Sequence, residues 1–71
     1  MKAIKTNRID DIGSERWDCV FLKRTSKLAV FADKAAADTF IRANPTLRQL
    51  KASRKVRIVP APSHARPGNY F

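Results

Sequence analysis

The segment DKAAADTFIRAN, from Asp33 to Asn44, constrains the fold more than any other stretch. Asp33 suits an N-cap, the alanine run has high helix propensity, and Asn44-Pro45 stops the helix. Helical periodicity puts Ala36, Ala37, Phe40, Ile41 and Ala43 on one stripe, with Lys34, Asp38 and Arg42 on the wet side. The small alanines let such a helix lie close on a sheet. The flanking runs supply one.

Arg16–Lys23 and Lys27–Ala32 are rich in aromatic and β-branched residues, and they read as two strands of a hairpin around Arg24-Thr25-Ser26. Lys55–Val59 alternates as a further strand, which Pro60 ends. Ala3–Thr6 is a short strand candidate. Ile9 and Ile12, three apart and followed by Gly13, suit one helical turn. Pro45–Lys55 has two readings: a short helix over Thr46–Ala52, started by Asn44 and Pro45, or an ordered loop with Leu47 and Leu50 tucked against the sheet.

The expected fold class is therefore α+β: one small domain over residues 1–59, with an antiparallel sheet of about three strands in ββαβ order and one helix across one face. Residues 60–71, with Pro60, Pro62 and Pro67, read as an extended tail. The expected core is Trp17, Cys19, Phe21, Val30, Phe40, Ile41, Val56 and Ile58. Alternation puts Val20 and Leu22 on the opposite face of their strand, which calls for a cover: the N-terminal segment or, in a homodimer, a second copy.

A chain of 71 residues makes a thin core, and with Cys19 as its sole cysteine it has no disulfide to help. His64 is the sole histidine, so no zinc spacing exists, and neither a metal nor another cofactor is expected. The adjacent Asp10 and Asp11 lack further ligands and read as a solvated turn. The glycines Gly13 and Gly68 cannot build a phosphate-cradling loop, and no nucleophile has a base placed beside it, so the expectation is not an enzyme. No apolar run approaches a membrane span, the N-terminus lacks a signal-peptide core, and a reducing cytoplasmic setting with no membrane partner is expected. A helix-turn-helix is disfavoured by the proline directly after the first helix, and an RRM by the missing aromatic strand motif.

The strongest functional signal is charge. The formal net charge is +9, and it is unevenly spread: residues 42–71 contain Arg42, Arg48, Lys51, Arg54, Lys55, Arg57 and Arg66 and no acid. Such a surface fits a polyanion. The first expectation is a basic protein that binds nucleic acid, DNA or RNA, through its phosphates with little sequence reading. Arg48, Lys51, Arg54, Lys55 and Arg57 would be the main contacts, joined by Lys23, Arg24 and Lys27 at the hairpin tip. As a helix, Arg48, Lys51 and Lys55 would form one ridge, and the whole set is expected along one sheet edge beside the hairpin tip. The alternative is a small phage-like or mobile-element protein that inhibits or modulates a larger protein by docking on its acidic surface. Tyr70 and Phe71 are candidates for partner docking or for folding back on the sheet. Trp17 reads as core or core edge, with base stacking as its functional alternative.

Overall fold

The computed structural model describes residues 1–9, 12–65 and 69–71. The Asp10-Asp11 turn and residues 66–68 of the tail lie outside the described residues. The elements run β1 (Lys2–Ile9), β2 (Glu15–Phe21), β3 (Val30–Phe31), α1 (Lys34–Ala43), α2 (Pro45–Ala52), β4 (Val56–Pro60) and β5 (Asn69–Tyr70). The class is α+β, but among the described residues the sheet is mixed and five-stranded and there are two helices, where the sequence suggested about three antiparallel strands and one helix, with a short second helix over Thr46–Ala52 as one of two readings.

β1 is the middle of the sheet. One edge pairs antiparallel with β4, from Lys2 opposite Pro60 to Thr6 opposite Val56. Its other edge takes β2 along Lys5–Ile9 and β3 at Lys2 and Ala3. Ile9 is thus strand, not helical turn: it stands opposite Glu15, and Gly13 serves the connection with φ +83, a left-handed value that favours glycine. The hairpin expected between Arg16–Lys23 and Lys27–Ala32 forms only at its tip. Leu28 bridges Phe21, and the Leu22 N–H donates to the Lys27 carbonyl at 2.8 Å. The chain then leaves β2 for β1, where the Ala3 partner is free. A longer ladder on the central strand outcompetes a hairpin whose turn lacks a favoured dipeptide.

α1 is built as its residues dictate. The Asp33 carboxylate accepts from the Ala36 N–H at 2.8 Å, and the buried stripe is Ala37 and Ile41, with Phe40 half-buried and Ala36 and Ala43 exposed. Asn44 is the whole linker to α2. Its N–H donates to the Ile41 carbonyl, and its side-chain oxygen accepts from the Thr46 and Leu47 N–H groups at 3.0 and 3.2 Å. One residue closes a helix and opens the next, which leaves no three- or four-residue turn for a helix-turn-helix. α2 ends in a Schellman motif: the Lys55 N–H donates to the Leu50 carbonyl and the Arg54 N–H to that of Lys51. Arg54 holds φ +58 at the position where glycine is usual.

Register fixes the faces, because directly opposed residues point the same way. Ile4, Thr6, Val20, Phe31, Val56 and Ile58 share the face under the helices. There Ile4, Val20, Ala29, Ala37, Ile41 and Leu47 form the buried core, with Leu22, Phe40, Leu50 and Phe71 against it. The expected assignment of β2 was inverted: Val20 and Leu22 meet the helices, while Trp17, Cys19 and Phe21 face away, and Val30 is exposed. Both faces of β2 are apolar, so alternation alone could not say which one the helices cover. The Val20 and Leu22 face, for which a cover was expected from the N-terminal segment or a second copy, is covered by the two helices, and it is the Trp17 and Cys19 face that lies away from them. Residues 61–65 cover that far face as the chain passes from β4 to the opposite edge of the sheet, where β5 pairs parallel with β2.

Candidate polyanion interface

The far face of the sheet carries Lys5, Asn7, Trp17, Cys19, Arg57 and Val59. Lys5 stands between its cross-strand partners Cys19 on β2 and Arg57 on β4. The Asn7 N–H donates to the Lys55 carbonyl at 2.9 Å, which continues the β1–β4 ladder and places Lys55 on the same face. Lys5 and Arg57 are thus like charges on directly opposed positions, with Cβ atoms about 5 Å apart, an arrangement that destabilises a sheet. The Arg57 guanidinium carbon lies 4.2 Å from the centre of the Trp17 ring. That stacking steers one cation aside and leaves its charge exposed. Arg54 comes after Ser53, the residue that caps α2, and next to Lys55.

Beside this cluster is a cleft of about 230 Å³ lined by Lys5, Trp17, Asp18, Cys19, Pro62, His64 and Ala65. Cys19 is buried at its floor with 6% exposure, a small apolar side chain in a sheet. Asn7, opposite Trp17, keeps its side-chain oxygen buried without a hydrogen-bond partner among the described residues.

The structure divides the expected basic set. Lys55 and Arg57 join Lys5, which the short strand expected over Ala3–Thr6 does not single out, because its place between β2 and β4 comes from register alone. Lys51 is withdrawn from the predicted ridge: its ammonium donates to Asp38 on α1, which also pairs with Arg42 at 3.0 Å. The Lys51 hydrogen bond, with the charges of Arg42, Lys51 and Lys34, holds the Asp38 carboxyl below its ordinary range, against a smaller opposing effect of burial. Arg48 is exposed on α2. Lys23, Arg24 and Lys27 are exposed at the tip after β2, which lies beyond the Ala3 end of β1, and Lys55 is opposite Asn7. The two groups are about 20 Å apart along the strands and on opposite sides of β1, not side by side on one edge.

Tyr70 and Phe71 are engaged within the chain. The Phe71 N–H donates to the Phe21 carbonyl at 3.0 Å, and the Phe71 carbonyl accepts from the Lys23 N–H. Phe71 packs on the helix-side core, and Tyr70 lies 5.8 Å from the Phe21 ring while 45% exposed.

A second concavity, about 410 Å³, lies between α1, α2 and β4 and is lined by Lys34, Asp38, Ile41, Lys51, Val56, Arg57, Ile58 and Val59. β4 pairs only with β1 among the described residues. In its ladder the amides of Arg57 and Val59 turn toward β1, so those of Val56 and Ile58 turn outward.

Among the described residues no three potential metal-ligating side chains come together, and no helix is long and apolar enough to cross a membrane. The chain matches no protein-family model, no curated protein and no solved structure.

Proposed function

We propose that this is a non-enzymatic nucleic-acid-binding protein that holds the phosphate backbone on the far face of its sheet. The observation that carries the reading is the cross-strand pair of Lys5 and Arg57, with Lys55 along the same strand and no ion pair to any of the three among the described residues. Two opposed cations cost stability, which the stacking of Arg57 on Trp17 reduces and an anion between them would offset. Arg54 adds a second cost, because a left-handed backbone disfavours any residue with a Cβ. An arginine at a position that favours glycine points to a use for its charge. Contacts of this kind bind phosphate and carry little sequence information.

The reading is tested by the salt dependence of binding to a random-sequence oligonucleotide. Affinity falls steeply with salt, and Arg54→Ala with Lys55→Ala flattens the log–log slope by about one to two units. Substituting Lys23 and Arg24 instead, on the remote tip, changes it less. Salt-independent binding, or none at low salt, rejects the proposal.

The outward amides of β4 favour a second reading, a modulator of a larger protein. An extended acidic segment would add to β4 as a further strand, with the exposed Lys34 at the groove to meet its carboxylates. A second copy of this chain is disfavoured there, since it would bring another Arg57 to the same edge. Retention of one partner protein from a nuclease-treated lysate, lost on Ile58→Pro, supports this reading over the first.

A further inference from the structure

We infer that the cleft between β2 and residues 61–65 receives one unstacked nucleotide, its base against Trp17 and its phosphate on Lys5, which makes single strands the preferred ligand and rests on the function proposed above. Trp17 is the chain's sole tryptophan. It stands outside the helix-side core, half-buried, on the face that carries the cations. Its ring already has Arg57 stacked over it at 4.2 Å, and it also borders the cleft. An aromatic platform flanked by cations is how proteins hold unpaired bases without reading sequence.

Asp18 also borders the cleft, but it stands opposite Thr6 and so belongs to the helix-side face of β2; the remaining lining fits the same ligand. Pro62 and Ala65 give an apolar wall, His64 is exposed at the cleft, and Lys5 brings an ammonium beside Trp17. Residues 61–65 lie over the sheet here, so a base enters only if it has left its own stack. Duplex bases are paired and stacked, so a duplex is confined to the exposed cations Arg54, Lys55 and Arg57.

The test is a titration of the full chain with a thymidine oligonucleotide and with a duplex of equal length, at low salt. It reads both affinity and Trp17 fluorescence. Quenching by the single strand alone, with about tenfold tighter binding than to duplex, is the expected result. Trp17→Leu brings single-strand affinity down to the duplex value with the salt slope unchanged. Because that variant also alters packing, Ala65→Leu serves as a second one: it narrows the cleft, keeps every charge, and removes the same preference. Equal affinities with unchanged fluorescence overturn the inference and leave phosphate binding standing. Failure of both ligands to bind overturns the inference and the proposed function together.

Discussion

The two faces of this sheet are built by different rules. On the helix side, Ile4, Val20 and Leu47 are fully buried, and the packing is contiguous from β1 through both helices. On the far side, among the described residues, only Ala3, Cys19 and Phe21 are buried, and Lys55 and Arg57 on that face are exposed. One face concentrates stability. The other accepts local costs: opposed charges and, among the described residues, an unpaired amide oxygen.

Truncating the helix side gives the largest effect. Leu47→Ala lowers stability by about 2–5 kcal/mol in urea unfolding, since it empties a fully buried site. If Trp17→Ala costs more, the contrast between the faces fails. Removal of Asn69, Tyr70 and Phe71 comes next. It costs about 1–3 kcal/mol through the lost Phe71 packing. It also bares the Phe21 side of the sheet, so the Cys19 thiol, buried in the whole chain, reacts faster with a disulfide reagent. An unchanged thiol rate means that residues 61–65 cover that face unaided.

Smaller changes sharpen the comparison by raising stability. Asn7→Val removes a buried acceptor without a partner and supplies a β-branched residue to a central strand, which stabilises by about 1 kcal/mol. Arg54→Gly relieves the left-handed backbone for a gain of up to about 1 kcal/mol and lowers the salt slope of nucleic-acid binding by about one. A gain in stability without loss of slope would separate Arg54 from the interface. The smallest effect concerns Asp38, between α1 and α2. Its carboxyl is held below 3.8 in the folded chain, so its contribution is complete above that value and lost as pH falls through the lower folded value. Asp38→Asn therefore differs from the parent near neutrality and converges with it in acid, as pH-dependent melting would show.

What could be read from the sequence was local. The cap at Asp33, the alanine run and Asn44-Pro45 placed α1 within a residue of its ends, and Pro60 marked the end of β4. The α2 signals at Asn44 and Pro45 were also there, although a loop explained Leu47 and Leu50 as well. What escaped was set by distant partners. Nothing near Lys51 announces Asp38, thirteen residues earlier, so a ridge of charge was expected where an ion pair forms. β2 was found, but which of its two apolar faces meets the helices depends on β1 and β4. The cation pair at the heart of the candidate site was half visible. Arg57 stood out in a basic run, while Lys5 acquired its meaning only from register.

That register has a consequence for the nascent chain. β1 is made first, yet the partner of its Thr6 is Val56, so one edge of the central strand waits for fifty further residues. At bacterial-like synthesis rates this is roughly 3–10 s during which a strand template stands open. Lys2 and Lys5, the residues that make β1 look too polar to be central, are the kind of charges that keep an exposed edge from pairing with other chains. Lys5, a member of the candidate site in the finished protein, thus also guards the unfinished one.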